Sequence, residues 1–354
     1  MFPLKLEKKY KAFVAGGGNS GVSVAKLLQK HGIDVFVSDA KQIAAHLKTE
    51  LLQCQIPFEE HQHSFVKFDA ECDFLVTSPG IPLHLGLAKR ALEKGISIVS
   101  EIEVTSWFIP KNTQCIAITG TNGKSTVTHY TSQLFSRAGY ITKSCGNIGT
   151  PFSQTLLQFP ESQIYVLEMS SYQIETTWSL APQATIFLNI QPDHLARYEN
   201  MDEYFKAKWR LVLLTDKKGV ALIEEQCFEK AIKMGLPFPD CTIILLTQNE
   251  IYQHASNAYL PFVRYSKNLP MSFYHEIKKN SVYLLPTAQN LNYAYISHYN
   301  EQGFSAFIIS RDGKKQTITV QEPCIPGIHN AYNLLAASLI ALHFGIRKEV
   351  IVEQ

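Results

Sequence analysis

The stretch Cys115-Ile-Ala-Ile-Thr-Gly-Thr-Asn-Gly-Lys-Ser-Thr126 constrains the fold of this chain more than any other. An apolar run of β-strand character ends in a glycine-rich turn, and residues suited to the first turn of a helix follow at once. Gly120 and Gly123 leave room for a ligand against the backbone, and the N–H groups of such a loop, through Thr121 and Asn122, point at phosphate oxygens. Lys124 adds a mobile cation near the terminal phosphates, and the Ser125 hydroxyl, with Thr126 beside it, is placed to ligate Mg2+. The spacing is the short G-x-x-G-K-S-T form, because Ile118 stands where the commoner loop has its first glycine. A glycine-rich turn with an incidental lysine is the competing reading, and it leaves the flanking strand and helix unexplained.

A second glycine cluster lies near the start of the chain. Gly16-Gly17-Gly18-Asn19-Ser20-Gly21 satisfies G-x-G-x-x-G after the apolar run Ala12–Ala15 and before a helix-like stretch. Side chains at those glycines would block the tight turn and the approach of a diphosphate, while the helix N-terminus supplies donors and a positive dipole end. Asp39 follows the next apolar run, 18 residues past Gly21, where an acid usually meets a ribose or base. Alone, this motif fits a nicotinamide-dependent oxidoreductase or a tight turn that binds nothing. The phosphate loop argues against the oxidoreductase.

Apolar runs at Ala12–Ala15, Asp34–Ser38, Phe74–Thr77 and Ile96–Val99 alternate with helix-length segments, and Cys115–Thr119, Ile164–Leu167 and Ala184–Ile190 continue the rhythm. The expected fold class is therefore α/β: a Rossmann-like N-terminal domain, then a P-loop-type, mostly parallel central ATPase domain. The polar, proline-containing stretch Phe108–Gln114 marks the boundary, giving expected domains 1–108 and 109–354. At roughly 150 residues per domain, 354 residues accommodate two or three. Phe304–Ser310 and Gln316–Val320 flank Asp312-Gly313, a hairpin signal, and Asn330–Phe344 reads as a helix. Residues 225–300 are rich in aromatic and polar residues and show no period.

Composition removes several function classes. Lys and Arg number 33 against 31 Asp and Glu, a formal charge of +2, so no long-range field draws the chain to nucleic acid or an anionic membrane. No apolar run approaches the ~18 residues of a membrane helix. The first ten residues lack the apolar core of a secretory signal. The seven cysteines include no C-x-x-C pair, which argues against a disulfide framework or a thiolate zinc site. A cytoplasmic location is expected.

Other candidates sit just past apolar runs, where ligands gather in open α/β sheets. Glu168 ends Ile164-Tyr-Val-Leu-Glu168 and offers a carboxylate for Mg2+, although a helix-capping or surface glutamate is the plain alternative. Ser170, within Met169-Ser-Ser-Tyr-Gln173, adds hydroxyl character suited to a polar cleft. His194 lies in Pro192-Asp-His-Leu-Ala-Arg197, where one histidine is by itself more often structural than a ligand. Lys208 lies in the helix-like segment Asp202–Leu214, and spacing alone reads it as a solvated lysine.

Taken in order, TGTNGKST (119–126), SCGNIGTP (144–151), LEMSSYQIE (167–175), NIQPDHLARYE (189–199), YFKAKWRL (204–211) and PGIHNAYNLLAA (326–337) resemble the Mur ligases of peptidoglycan synthesis. The resemblance covers about residues 12–345; Asn122 and the Rossmann-like start with VTSPGIP (76–82) point to the branch that adds D-glutamate to UDP-N-acetylmuramoyl-L-alanine. It implies ATP-dependent amide formation through an acyl phosphate. By the resemblance, Lys124 and the loop from Gly120 to Thr126 bind the β- and γ-phosphates, and Asn330 and Asn333 lie near adenine and ribose. Ser125 and Glu168 ligate one Mg2+, and His194 holds a second shared with the acceptor carboxylate. Lys208 matches a lysine that the family carbamylates, a change that turns an ammonium into a carboxylate-like group able to assist Mg2+ binding. Asn19, Ser20, Asp39, Gly80 and Asn147 fall where the family grips the uridine, diphosphate and sugar, with Ser170 and His194 also on the substrate side. A monomer is expected.

Some positions depart from the pattern. Ala40-Lys41 replaces a frequent Thr-Arg, Gln191 a threonine and Ala196 an aspartate, and the stretch 215–320 is longer than usual. The family carries a third, C-terminal domain that binds the incoming amino acid, whereas Gln354 lies only 21 residues past Asn333. The expectation is a two-domain piece or truncated product of a longer ligase, inactive alone and weak in ATP binding. The alternatives are a non-catalytic UDP-sugar-binding module and a ligase resembling folylpolyglutamate synthase.

Overall fold

A computed structural model describes residues 9–193, 197–247, 291–300, 303–309, 315–321 and 327–352. The chain opens with β1 (Lys11–Ala15), α1 (Asn19–Lys30), β2 (Asp34–Ser38), α2 (Ala45–Gln53) and β3 (Phe58–Glu59). Next come α3 (Phe65–Glu71), β4 (Phe74–Thr77), α4 (Gly86–Glu93), β5 (Ser97–Ser100) and α5 (Glu101–Ser106). The phosphate-loop region follows as β6 (Gln114–Thr119), α6 (Lys124–Arg137), β7 (Thr142–Gly146), α7 (Phe152–Gln158), β8 (Ile164–Glu168) and α8 (Ser171–Glu175). Beyond it lie β9 (Ala184–Phe187), α9 (Met201–Leu213), β10 (Val220–Glu224), α10 (Glu225–Lys233) and β11 (Thr242–Leu246). The last elements are β12 (Leu291–Asn300), β13 (Gly303–Ile309), β14 (Lys315–Gln321), α11 (Ile328–His343) and α12 (Lys348–Val352).

These elements form two compact units, each discontinuous in sequence. The first takes residues 1–115, 141–181 and 192–210, and the second 116–140, 182–191 and 211–354. The division expected from sequence alone was a single cut at residue 108, which falls in the irregular stretch between α5 and β6.

In the first unit a parallel sheet runs β3-β2-β1-β4-β5. Its strands are apolar on both faces, as burial under helices on both sides requires. Ala12, Val14, Phe74 and Val76 pack into one cluster with Val22, Leu28 and Leu51, while Phe13, Ala15 and Leu75 face the opposite way onto Phe68, Leu87 and Ala88. β7 and β8 pair in parallel from Thr142↔Ile164 to Gly146↔Glu168. The helix between them, α7, packs on α1 and α5, which gathers 141–181 into this unit.

The second unit contains β6, β9, β10, β11 and β12 in parallel, and β13 and β14 added antiparallel at the edge. Helix α11 packs against α6 and buries Ala331, Leu334, Leu335, Ala337 and Ile340. The expected hairpin strands pair in register from Gly303↔Gln321 to Ile309↔Lys315, while their Asp312-Gly313 turn lies outside the described residues. The stretch that showed no period holds α10, β11 and β12, with 248–290 outside the described residues. β9 ends at Phe187, three residues before the expected end, and Leu188–Ile190 turn into a cleft instead. Among the described residues no helix is long and apolar enough to cross a membrane.

The first glycine cluster divides by function. A Cβ at Gly21 would fall 1.9 Å from the carbonyl oxygen of Gly16, so the α1–β1 contact itself demands glycine there. Gly18 has φ −80°, and a Cβ would meet nothing within 4 Å. It is the N-cap of α1, a position that prefers glycine to alanine without requiring it. Gly21→Ala is expected to cost about 1–3 kcal/mol through overpacking, and Gly18→Ala about 0.5–1 kcal/mol through the weaker cap. Urea denaturation of the two variants checks the contrast.

Candidate functional site

In the second unit β6 runs straight into the phosphate loop, which opens α6. Gly123 is the N-cap with φ +82°, a conformation few residues other than glycine adopt, and a Cβ there would come 2.6 Å from Asn333 Oδ1. The first intrahelical bond runs from Val127 N–H to Gly123 O at 2.9 Å, so the amides of the first turn lie outside the helix ladder. Lys124 is half-buried, and its Nζ donates to the Thr121 carbonyl at 2.8 Å. Ser125 and Thr126 occupy the first turn of α6, beside the positive end of the helix dipole.

A cleft of about 560 Å³ borders this loop, walled by Asn122, Gly123, Leu188–Gln191, Glu224, Gln226, Leu246, His329, Tyr332 and Asn333. Leu188, Ile190, Leu246 and Tyr332 give apolar surface among polar side chains, a lining that suits a flat heteroaromatic ligand. Asn333 thus lies beside the loop at the cleft. Asn330 lies one turn earlier on α11, its N–H bonded to Gly327 O at 3.0 Å, and His329 and Tyr332 make the wall in its stead. Sequence reading missed those two residues, along with Asn189, whose place at the end of an apolar run was the signal available.

The remaining candidates belong to the first unit. Asn19 and Ser20 sit in the first turn of α1. Asp39 braces the glycine turn: Oδ2 accepts Gly17 N–H at 2.6 Å and Oδ1 accepts Lys41 N–H at 2.8 Å. Gly80 is exposed in a loop that Arg197 holds, its guanidinium donating to Pro79 O at 3.1 Å, Ile81 O at 3.2 Å and Glu175 Oε2 at 3.1 Å. Arg197 also lies 4.2 Å from the Tyr172 ring centroid. Glu168 is buried at the end of β8, where Asn147 Nδ2 donates to its Oε1 at 2.9 Å, so the structure brings these two candidates together. The Ser170 hydroxyl is held in a capping box with Gln173 at the start of α8. His194 lies outside the described residues.

Lys208 corrects the surface reading. It is only 2% exposed, with Nζ 4.9 Å from the Tyr204 ring centroid. Its helical neighbours at i±3 and i±4 are Tyr204, Phe205, Leu211 and Val212, so the lysine lies on the apolar face of α9.

Two more buried carboxylates anchor the segment that carries Asn147 and Glu168. Glu103 accepts from Trp178 N–H at 2.7 Å, Ser179 N–H at 2.9 Å, Ser179 Oγ at 2.6 Å and Trp107 Nε1 at 3.1 Å. Glu101 accepts the Ser153 N–H at the start of α7 at 2.5 Å. Burial pushes the Glu101 carboxyl above the usual carboxylate range, against the pull of its hydrogen bonds.

Each unit, taken by itself, offers a donor of the kind Mg2+ takes: the Ser125 hydroxyl in the second and the buried Glu168 carboxylate in the first are hard oxygens. Among the described residues no group of three or more His, Cys, Asp or Glu is placed to hold a metal ion. Mg2+ commonly takes only one or two carboxylates and completes its shell with phosphate and water.

Strand, loop and helix define a phosphate-loop α/β protein. Residues 118–341 match the Mur ligase middle domain, and residues 10–100 match the MurD-like N-terminal domain of Mur ligases. The chain belongs to the Mur ligase family. A UDP-N-acetylmuramoylalanine–D-glutamate ligase of Christiangramia forsetii is 32% identical over 345 residues, 97% of this chain and 66% of the relative. A ligase of the same name from Chlorobium phaeobacteroides is 42% identical over 207 residues, 57% of this chain and 44% of the relative. The chain thus spans two thirds or less of the length of these relatives. In fold it is similar to the UDP-N-acetylmuramate:L-alanyl-gamma-D-glutamyl-meso-diaminopimelate ligase of Neisseria meningitides, with TM-score 0.57 and 16% identity, covering 98% of this chain and 97% of that one. A murein peptide ligase of Psychrobacter arcticus gives TM-score 0.55 at 17% identity, covering 97% of this chain and 67% of that one.

Because the Glu101 pKa is raised on folding, proton uptake favours the folded state. That contribution is present below the unfolded value near 4.5 and is lost as pH rises through the folded value. Wild type should therefore lose stability relative to Glu101→Gln as pH is raised from 4.5 in denaturant titrations; a pH-independent difference would contradict the assignment.

Proposed function

We propose that this chain supplies the sugar-nucleotide-binding and ATP-binding parts of a ligase that joins D-glutamate to UDP-N-acetylmuramoyl-L-alanine. The observation that carries the reading is the phosphate loop opening α6 beside a cleft walled by Tyr332, His329 and Asn333. Family membership and the similarity to D-glutamate ligases support the choice of substrates. The match of residues 10–100 favours this branch over a folylpolyglutamate-synthase-like ligase.

The chemistry has two steps. A carboxylate resists attack by an amine because its carbon is electron-rich and oxide is a poor leaving group. Transfer of the γ-phosphoryl group of ATP to a carboxylate oxygen of the alanine gives an acyl phosphate and ADP. The amine of D-glutamate then attacks the carbonyl carbon, inorganic phosphate leaves, and the amine loses a proton. Lys124 and the first-turn amides of α6 neutralise charge on the transferring phosphate, which is the main demand of phosphoryl transfer. Bound Mg2+ supplies further charge neutralisation, with Ser125, Glu168 and His194 as its proposed ligands and a second ion expected. Lys208 is proposed to be carbamylated, which would place a carboxylate-like group on α9. Asn330 and Asn333 are assigned to the adenosine.

In the first unit Gly18, the N-cap of α1 with open space where a side chain would stand, supports diphosphate binding. Asn19, Ser20, Asp39, Gly80, Asn147 and Ser170 are assigned to the UDP-sugar. A cytoplasmic monomer acting on small molecules, without nucleic acid or membrane, completes the reading.

Calorimetric titration tests it. The chain should bind both UDP-N-acetylmuramoyl-L-alanine and Mg·ATP. Lys124→Ala should weaken ATP about tenfold or more, the worth of a charge-assisted hydrogen bond, and leave the sugar nucleotide unaffected. Equal ATP affinity in the variant, or binding of neither ligand, would overturn the proposal. Amide formation with D-glutamate separates a ligase from a module that binds without turnover.

A further inference from the structure

The phosphate loop is held by the segment that follows β9, which borders the same cleft. Asn189 Oδ1 accepts two loop amides, Thr121 N–H at 3.1 Å and Asn122 N–H at 2.9 Å. Its Nδ2 donates to the Asn122 carbonyl at 3.0 Å. Oxygen towards two N–H donors and nitrogen towards a carbonyl is the one orientation of this carboxamide that satisfies every contact. Thr121 N–H also reaches the Asn189 carbonyl at 3.1 Å. Two residues on, Gln191 repeats the pattern with side chains: Asn122 Nδ2 donates to Gln191 Oε1 at 2.8 Å, and Gln191 N–H donates to Thr121 Oγ1 at 3.0 Å. All these residues lie in the second unit.

An amide committed to a protein acceptor is not available to a phosphate without breaking that bond. Resting on the nucleotide reading above, we propose that Asn189 is the positioning residue that shapes the phosphate loop. The amides of Thr121 and Asn122 then serve as scaffold, and phosphate recognition narrows to Gly123, Lys124, Ser125 and Thr126. Gln191 is the lesser partner, because its side chain accepts from the Asn122 side chain alone and from neither loop amide.

The test has two parts. In amide hydrogen exchange of the ligand-free chain, Thr121 and Asn122 should be protected in wild type and exposed in Asn189→Ala. Asn189→Asp, which keeps an acceptor oxygen towards both amides, should keep them protected. In calorimetry, Asn189→Ala should weaken ADP about tenfold or more, the equivalent of about 1.4 kcal/mol, and adenosine by less than threefold or so. A general loss of structure would weaken both ligands alike, and that result would overturn the proposal. So would rapid exchange of the two amides in wild type, or an unchanged ADP affinity in Asn189→Ala. Wild type that protects both amides yet binds no ADP would sink the nucleotide reading and, with it, the phosphate role given to Asn189.

Discussion

A parallel strand that ends beneath a helix leaves polar backbone groups at its carboxyl end, and this chain places its chemistry at such ends. The glycine turn follows β1, Asp39 follows β2, the phosphate loop follows β6, Glu168 closes β8, and Asn189 lies just past β9. Each of these strands is buried over most of its length and at its last residue, which is therefore positioned by the core and not by the loop. Loops built on such ends can be short, glycine-rich and still well placed.

The second constraint is the way residues 141–181 are tied down. Helix α5 presents two buried carboxylates, and both reach that segment: Glu101 at the start of α7 and Glu103 at Trp178 and Ser179. A buried carboxylate that loses its donors is costly, so each bond is hard to give up. The same segment carries Asn147, just before the first anchor, and Glu168, between the two, themselves joined by a hydrogen bond. Asn147, a sugar-nucleotide candidate, and Glu168, a candidate metal ligand, therefore share one support within the first unit.

Much of this was legible in the sequence because local signals and tertiary demands agree. Asp34–Ser38 and Phe74–Thr77 have the limits their β-branched runs imply, and α9 and α11 begin and end within two residues of expectation. Strand β9 was read too long because Leu188 and Ile190 are apolar for the sake of a cleft wall. For Lys208 only the solvated reading fails, because spacing alone weighs the charge of a lysine and not its neighbours. Its neighbours one turn away, all apolar, carried the better signal. The roles of Asn189, Arg197, Glu101 and Glu103 depend on backbone groups far off in the chain, to which no spacing rule points. In residues 225–300 the partly polar strand β12 pairs with both a parallel and an antiparallel neighbour, so no single alternation governs it.

Lys124 rests on the carbonyl of its own loop. An arriving anion must compete with that carbonyl, so the ammonium trades partners and the net benefit is smaller than a fresh ionic contact would give. The same arrangement helps departure: a lysine with a parking place inside its own loop can release a spent ligand without being stranded. A loop of this kind favours repeated exchange of its guest over permanent retention.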